Sequence, residues 1–309
     1  MAKAMGPEGP SLLLSLLKSL EALLKTPKFL LSKDAAAYYQ HLGDDVLEGE
    51  HEKFVDPRKP LWLNLGYWEV ARNYPDACVA MAELVAEAAK LSPGDELLDV
   101  GFGFAEQDFF WVERYGLKRI TGVNITPLHV EKAQARARER GLQDRLDLQL
   151  GSATELPFER DSFDCVTALE CAFHFDTRER FFSEALRVLR PGGRIGIADV
   201  LPAPGSGPPN LVNRLAIRRW SIPPENLYDR DQYCQKLAAA GFADPTCRSI
   251  RNHVFPGATK YAALRKRGIA MHDAVIELTE QEIEQCFGIE EWKLTGLTDY
   301  VIFGARKPA

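Results

Sequence analysis

The stretch ELLDVGFGFAEQDFF, residues 96–110, joins an apolar run, a glycine-containing turn and a helix-like segment. The run ELLDV has the composition of a buried strand, and Gly101 and Gly103 permit the sharp turn that follows it. In open parallel α/β sheets, a strand, a glycine turn and a helix in this order form the usual nucleotide-binding unit. The stretch therefore predicts an α/β fold with a nucleotide-like ligand at the end of this strand.

The residues around the turn disfavour a dinucleotide. Glu106 occupies the third position of the dinucleotide fingerprint, where glycine or alanine is usual, and would direct negative charge at a pyrophosphate. A Walker loop is excluded because no Gly-Lys-Ser or Gly-Lys-Thr follows. Asp99 lies two residues before Gly101, and acids near a glycine turn suit a partly cationic ligand. S-adenosylmethionine, with its sulfonium and ammonium groups, is such a ligand.

Outward from this stretch, strand-like and helix-like segments alternate as far as Pro202. The further strand-like runs are RITGVNI, LDLQLGS, FDCVTALEC and RIGIADVLP, with helical patterns such as PLHVEKAQARARERG between most of them. This alternation predicts βαβ units and a parallel sheet. After Pro202, a loop rich in proline and glycine leads to helical stretches and to two more strands, in PTCRSIRNHVF and TDYVIFGARKP.

The overall composition excludes several classes of protein. The chain has 309 residues and a formal net charge of −6, which argues against a nucleic-acid partner because such a partner requires a basic surface. Its six cysteines have no C-x-x-C spacing and no neighbouring histidine cluster, so we expect reduced, mostly buried thiols, a cytoplasmic protein and no metal site.

The N-terminal segment contains the leucine-rich stretch SLLLSLLKSLEALLKTP, residues 11–27. Leucines recur at helical spacing, which predicts an amphipathic helix. Lys18, Glu21 and Lys25 interrupt the stretch, so it is too short and too charged for stable membrane insertion. It also lacks the features of a signal peptide. We expect the helix to pack on its own domain or to form a homo-oligomer by packing on a partner subunit.

Four segments resemble, in order and spacing, the successive motifs of class I S-adenosylmethionine-dependent methyltransferases. These are LLDVGFGFAEQ, GSATELPF, FDCVTALECAFHF and VLRPGGRIGIADV, within about residues 75–202. Over about residues 61–255, LNLGYWE, GVNITPLHV and SIPPENLYDRDQYCQKLAAAGF also resemble the macrolide-sugar O-methyltransferases of antibiotic biosynthesis, typified by erythromycin C methyltransferase. The resemblance implies an enzyme with S-adenosylmethionine as its cofactor.

The resemblance also implies an architecture. We expect a doubly wound, seven-stranded, mostly parallel sheet of the Rossmann-like methyltransferase type, with N-terminal helices and helical lid insertions. Residues 1–75 would form the N-terminal helical and lid segment, and residues 76–202 the cofactor-binding core. Residues 203–309 would supply acceptor-side helical insertions and the last two strands.

By this resemblance, nine residues would bind the cofactor: Asp99, Gly101, Gly103, Gln107, Asn124, Ile125, Ser152, Ala153 and Glu170. Two of them depart from the family pattern. Asn124 stands where an acid usually holds the ribose, and an amide loses the charge-assisted part of that hydrogen bond unless Thr126 and main-chain groups share the task. Ser152 stands where many members have an aspartate on the adenine. For Glu170, helix capping or an ion pair is the alternative to a contact with the methionine moiety.

A general base is expected because a sugar hydroxyl is a weak nucleophile. Among six histidines, His174 lies just beyond the fourth strand, where ligands of open α/β sheets collect. In related sugar O-methyltransferases, a histidine here and an aspartate at the end of the fifth strand are the proposed catalytic pair. The resemblance thus implies that His174 removes the hydroxyl proton and Asp199 holds or polarises it. Phe173 replaces a second histidine of some relatives and, with Tyr67 and Trp68, is a candidate residue of the acceptor site or its lid.

The acceptor is the least defined part of the prediction. In LWLNLGYWE, Tyr67 and Trp68 are equally consistent with a lid over the cofactor and with ordinary core packing. The leading hypothesis is O-methylation of a hydroxyl of a macrolide or other glycosylated small molecule. The alternatives are C-methylation of a prenyl, sterol or quinol-like lipid, and a non-catalytic S-adenosylmethionine-binding scaffold.

Overall fold

A computed structural model describes residues 60–266, 275–286 and 296–309, and Ala36 alone among the earlier residues. The leucine-rich stretch of residues 11–27 lies outside the described residues, and so does the subunit packing expected of it. No helix in the described part of the chain combines the length and apolarity required to cross a bilayer.

The described residues contain a seven-stranded sheet with the order β3-β2-β1-β4-β5-β7-β6. The strands β1 to β5 pair in parallel, whereas β7 runs antiparallel to both β5 and β6. The predicted doubly wound, mostly parallel sheet is therefore confirmed. The strands are β1 Glu96–Val100, β2 Arg119–Asn124, β3 Leu146–Leu150, β4 Phe163–Leu169, β5 Leu189–Pro202, β6 Ala243–Ser249 and β7 Leu297–Arg306.

Burial explains why the central strands have a continuous apolar pattern. In β1, every residue after Glu96 is buried, including Asp99. Helices cover both faces of a parallel sheet, so its central strands have no solvent-facing side. The edge strand β6 instead alternates between half-buried and exposed residues.

Eight α-helices flank the sheet in the described residues. Their starts follow local signals: Asn73 caps the first helix by accepting a hydrogen bond from the Asp76 amide, and Asp229 and Gln232 form a capping box on the sixth. The helices are α1 Tyr74–Ala88, α2 Glu106–Arg114, α3 Pro127–Glu139, α4 Arg178–Val188, α5 Leu211–Arg219, α6 Arg230–Ala240, α7 Phe255–Lys266 and α8 Glu280–Cys286.

Two element boundaries differ from the prediction. The pattern TRERFFSEALRVLRPGG predicts a fourth helix that ends at Gly192 and Gly193, but the helix ends at Val188, because Leu189 already pairs with Phe163 of β4 before a shift in register. The sixth strand ends at Ser249, and the rest of PTCRSIRNHVF forms a 3₁₀ turn, Arg251–His253, that leads into α7.

The topology determines where a ligand site forms. The chain proceeds from β1 outward to β3 and then returns to the other side of β1 as β4. Ligands of such sheets bind outside the carboxyl ends of the strands, at this switch point. The turns after β1, β2 and β4 are therefore the expected walls of a site.

Candidate active site

A cavity of about 440 Å³ lies at the carboxyl ends of the parallel strands. This volume falls within the range of roughly 300–1,000 Å³ that small-molecule sites occupy. The walls come from the segment before α1, the glycine turn, the ends of β2 and β4, and the residue Trp220 after α5. The cavity lies at the predicted switch point of the sheet.

Eight of the nine predicted cofactor residues line this cavity. They come from four separate loops, which the parallel strands bring to one edge of the sheet. These residues are Gly101, Gly103, Gln107, Asn124, Ile125, Ser152, Ala153 and Glu170.

The glycine turn requires glycine for two physical reasons. Gly101 has φ +73°, and a Cβ added there would lie 2.7 Å from both Cβ and Sγ of Cys171. Gly103 has φ +56°, and its added Cβ would lie 3.0 Å from Leu63 Cδ1. A side chain at either position would be strained and would intrude on neighbouring walls, so the turn exposes main chain to the ligand.

Asp99 is the predicted cofactor residue that does not line the cavity. Its carboxylate is fully buried and accepts hydrogen bonds from Thr167 Oγ1 at 2.7 Å and Gln107 Nε2 at 3.0 Å. Burial raises the pKa of Asp99 to about 7. Asp99 orients the cavity residue Gln107, whose Nε2 also donates to the carbonyl of Phe102 at 3.1 Å, and direct contact of Asp99 with the cofactor stays a prediction.

Glu106 does not point toward the ligand, contrary to the geometry assumed for it. Its buried carboxylate forms ion pairs with Arg136 and Arg140 of α3 and accepts a hydrogen bond from the Leu61 amide at 2.9 Å. Two arginines on α3 provide charge compensation that the solvent-free interior does not. The carboxylate thus attaches the segment before α1 to the helix after the glycine turn.

Glu170, at the end of β4, attaches the same segment at a second point. Its carboxylate accepts hydrogen bonds from the Leu65 amide at 2.8 Å and from the Tyr300 hydroxyl at 2.5 Å. Burial raises the pKa of Glu170 to about 7. Neither helix capping nor an ion pair accounts for this residue, and its position in the cavity wall leaves it available to a cationic group.

The wall after β2 and β3 is formed by short polar side chains. Asn124 Oδ1 accepts a hydrogen bond from the Thr126 amide at 2.9 Å, so the side chain closes the end of β2. Ser152 Oγ lies 2.9 Å from Thr154 Oγ1. Ile125, which is 42% exposed, adds apolar surface beside them.

His174 lies in the opposite wall, in the 3₁₀ turn Ala172–His174. Its Nδ1 is 3.3 Å from the carbonyl oxygen of Ser221, and its ring centre is 4.0 Å from that of Phe173. Burial lowers the pKa of His174 to about 4, so the imidazole is neutral near pH 7. A carbonyl only accepts, so this contact favours hydrogen on Nδ1, and the imidazole makes a further main-chain hydrogen bond with Trp220.

Asp199 does not hold His174 in the way that was predicted. Its Oδ2 accepts a hydrogen bond from Arg178 Nε at 2.8 Å, and its Oδ1 accepts one from the Val200 amide at 2.9 Å. Asp199 is fully buried and does not line the cavity. A buried carboxylate needs a cation, and Arg178, also buried, satisfies it. His174 and Asp199 therefore have different partners: His174 contacts Ser221, whereas Asp199 contacts Arg178 and Val200.

Of the three predicted lid residues, only Phe173 lines the cavity. Tyr67 and Trp68 are buried in the core, and the Trp68 ring covers Gly257 of α7 too closely for any side chain there. Trp68 Nε1 donates to the Leu65 carbonyl at 2.8 Å. Of the two alternatives for Tyr67 and Trp68, this burial favours core packing, because their large apolar rings fill the space between the segment before α1 and α7.

The aromatic residues that line the cavity were only partly anticipated. Besides Phe173, the wall includes Phe175 and Trp220. Phe175 ends the quoted segment FDCVTALECAFHF, and its alternation with Phe173 was a usable signal. Trp220 lies 46 residues farther along the chain than His174, and no local pattern links the two.

The charges around the cavity fit a cationic ligand. Of the described residues that line it, Glu170 and Asp176 are acidic, and none is lysine or arginine. These residues offer no cation to balance a pyrophosphate, whereas the two acids can balance sulfonium and ammonium groups. No cluster of three or more potential metal-ligating side chains occurs in the described ranges. The donor set therefore fits S-adenosylmethionine.

Comparison with known proteins gives consistent results. The methyltransferase domain family matches residues 98–197. The chain is 40% identical to erythromycin 3''-O-methyltransferase from Saccharopolyspora erythraea over 277 residues, covering 86% of this chain and 89% of that protein. It is 30% identical to 27-O-demethylrifamycin SV methyltransferase from Amycolatopsis mediterranei over 264 residues, covering 84% and 95%.

Among solved structures, geranyl diphosphate C-methyltransferase from Streptomyces coelicolor A3(2) superposes with a TM-score of 0.68. The match covers 92% of this chain and 99% of that one at 22% identity. Identity this low indicates a shared fold and nothing about the acceptor.

Proposed function

Because the chain belongs to the class I S-adenosylmethionine-dependent methyltransferases, we propose that it methylates a hydroxyl group of a natural product. The proposed acceptor is a macrolide or another glycosylated small molecule. The identity of 40% with an erythromycin O-methyltransferase over most of both chains supports an acceptor of this class. Identity at this level does not by itself select the acceptor, so the cavity residues carry the rest of the proposal.

The observation that carries the proposal is the neutral His174 in the cavity wall. When bound, the cofactor supplies a methyl group that is already activated, so the protein must orient the acceptor and take up its proton. The His174 imidazole, which makes main-chain hydrogen bonds with Ser221 and Trp220, would accept the hydroxyl proton on its unprotonated nitrogen. Gly101, Gly103 and Glu170 would hold the amino-acid part of the cofactor.

Asp199 takes part in this proposal through Arg178. The pair lies immediately behind the loop that carries His174, and the carboxylate balances the guanidinium in a site without water. We therefore assign Asp199 a positioning role in place of the proton-holding role expected for it.

The alternative is C-methylation of a prenyl, sterol or quinol-like lipid. A prenyl diphosphate carries several negative charges, and the described cavity residues contain no lysine or arginine to balance them. The aromatic wall of Phe173, Phe175 and Trp220 would suit a sterol or a quinol. C-methylation also needs a base, after the transfer, so His174 does not decide between the two reactions. The identity of 40% with an erythromycin O-methyltransferase is what favours O-methylation.

Removal of the base tests the mechanism. The His174→Ala variant should lose roughly 10²- to 10⁴-fold in turnover, the usual contribution of a general base. Its affinity for the cofactor, measured by calorimetry, should stay within a few-fold of the wild type. His253→Ala serves as the control, because His253 is exposed and outside the cavity wall. Near-normal turnover of His174→Ala would contradict the mechanism.

A panel of acceptors tests the reaction class. Sugar-bearing macrolides, sterols, quinols and prenyl diphosphates would be incubated with the enzyme and S-adenosylmethionine, and products analysed by mass spectrometry. The expected product carries the new methyl on oxygen of a glycosylated acceptor. Methylation on carbon of a lipid acceptor would replace the proposal with the alternative.

A further inference from the structure

The motif SIPPENLYD, residues 221–229, has no part in the cofactor wall, although it contributes a buried polar side chain. Its 3₁₀ turn, Pro224–Asn226, precedes α6. Asn226 is only 1% exposed. A buried amide must find hydrogen-bond partners, so the partners it has indicate what the motif holds in place.

The Asn226 amide binds the main chain on both sides of His174. Its Nδ2 donates to the carbonyl oxygens of Phe173 at 3.1 Å and of Phe175 at 2.8 Å. Its Oδ1 accepts a hydrogen bond from the Arg178 amide at 3.1 Å. One side chain therefore holds the peptides before and after His174 and the first residue of α4.

The same motif also contacts the imidazole itself. The carbonyl oxygen of Ser221 lies 3.3 Å from His174 Nδ1, so both the ring and its flanking peptides are held by residues 221–226. Ser221 has φ +52°, in the left-handed region that only a constrained main chain imposes on serine. This conformation directs the carbonyl at the ring.

Arg178 attaches this arrangement to the sheet. Its guanidinium donates to the main-chain carbonyl of Asn226, to Asp199 Oδ2 at 2.8 Å and to the Val200 carbonyl at 3.1 Å. The rings of Tyr228 and Tyr233 lie against it, with centres 5.0 and 5.3 Å away. Asn226 is thus held by a cation that β5 fixes in position.

From these contacts we propose that Asn226 is a positioning residue that sets the orientation and the tautomer of His174. The proposal rests on the proposed function of His174 as the base. If the amide donors are lost, the carbonyls of Phe173 and Phe175 lose their partners and the turn rearranges. The ring then loses its alignment with Ser221, and Nε2 no longer faces the acceptor in every molecule.

The variant Asn226→Asp tests this with almost no change in shape. A carboxylate keeps the acceptor for the Arg178 amide but cannot donate to either carbonyl. We expect kcat to fall roughly 10- to 100-fold, the effect of a misplaced catalytic group, with the acceptor KM and the cofactor Kd within about threefold of the wild type. Asn73→Asp makes the same exchange at the cap of α1, outside the cavity, and should leave kcat unchanged.

A spectroscopic measurement separates positioning from general destabilisation. In the wild type, ¹⁵N chemical shifts of His174, assigned by comparison with His174→Ala, should show the tautomer protonated on Nδ1. In Asn226→Asp they should show a mixture of tautomers. Wild-type kcat together with the wild-type tautomer in Asn226→Asp would overturn the proposal. If that variant fails to fold, the wild-type spectrum decides. A His174 ring protonated on Nε2 in the wild type would then be enough to overturn the proposal.

The two proposals fail independently. If His174→Ala keeps its turnover, then His174 is not the base, whatever the tautomer in Asn226→Asp. If His174→Ala is inactive while Asn226→Asp matches the wild type in kcat and in tautomer, the base stands and the positioning role of Asn226 is wrong.

Discussion

The two walls of the cavity are built in different ways. In the cofactor half, after β1 and β2, two side chains that line the cavity bind residues close in sequence: Gln107 contacts Asp99 eight residues away, and Asn124 contacts Thr126 two residues away. Behind them, Asp99 also accepts a hydrogen bond from Thr167, 68 residues away. In the base half, after β4, Asn226 contacts Phe173 across 53 residues. Because short-range contacts form from local backbone geometry, the cofactor half leaves a sequence motif. The base half exists only after distant segments have packed together.

The largest expected effect comes from removing the cation of the base half. Arg178→Met would leave Asp199 buried without a cationic partner and should lower the free energy of unfolding by about 3–5 kcal/mol, measured by chemical denaturation. Arg119→Met removes one partner of the exposed pair with Asp147 and should cost at most about 1 kcal/mol. Equal losses in the two variants would show that the buried pair does not support the base half.

The cofactor half is tested by a pair of glycine variants. Gly101 and Gly141 have similar positive φ values, +73° and +68°, but an added Cβ meets Cys171 at Gly101 and nothing within 4 Å at Gly141. Both alanine variants should lose about 1–2 kcal/mol of stability to backbone strain. Gly101→Ala should lose about 1–3 kcal/mol more through overlap and should weaken cofactor binding in calorimetry. Identical losses of stability in the two variants would mean that Cys171 moves aside at no measurable cost.

Two groups of the cavity wall, His174 and Glu170, should respond to pH with opposite sign. His174 has a pKa lowered to about 4 from the ordinary 6.5, so the unfolded chain binds more protons between these values. Its contribution to stability is therefore lost as pH falls from about 6.5 to about 4. Glu170 has a pKa raised to about 7 from 4.5, so the folded chain binds more protons there. Its contribution is lost as pH rises from about 4.5 to about 7.

Denaturation of the wild type, His174→Asn and Glu170→Gln between pH 4 and pH 8 measures this difference. Each group should contribute at most about 1.4 kcal/mol per pH unit, the free energy of one proton. His174→Asn should flatten the acidic limb of the stability profile, and Glu170→Gln should flatten the neutral one. The pKa shifts would be contradicted if His174→Asn flattened the neutral limb and Glu170→Gln the acidic limb. They would also be contradicted if both variants kept the wild-type dependence of stability on pH.

The smallest expected effect is a gain in the cofactor half. Asn124→Asp restores the acid that related enzymes carry at the end of β2, and a carboxylate still accepts from the Thr126 amide. A charge-assisted hydrogen bond to the ribose should add about 1 kcal/mol, a several-fold lower Kd for S-adenosylmethionine in calorimetry. Asn210→Asp, in the loop before α5, is the control. Weaker binding by Asn124→Asp would show that burying the carboxylate destabilises the complex by more than its hydrogen bond to the ribose stabilises it.

Side-chain directions account for most of the differences between the predicted and the observed contacts of the site residues. Asp99, Asp199, Tyr67 and Trp68 all lie on the segments to which the sequence assigned them. Their partners are Gln107, Arg178 and the residues of α7, and none of these follows from position along a strand. A buried carboxylate takes the donor that packing brings to it, so its role depends on distant residues.

The sequence by itself determined the alternating elements, the seven-stranded sheet, the glycine turn and the methyl donor. Apolar periodicity, the spacing of Gly101 and Gly103 and helix-capping residues are properties of neighbouring residues, so they can be identified in a single sequence. The methyl donor followed from the resemblance of the motifs to those of methyltransferases. Only the tertiary structure decided that Asp199 pairs with Arg178 and that Asn226 brackets His174. These contacts form because buried polar groups must be satisfied, and which group satisfies which depends on how α4, β5 and the segment before α6 pack together.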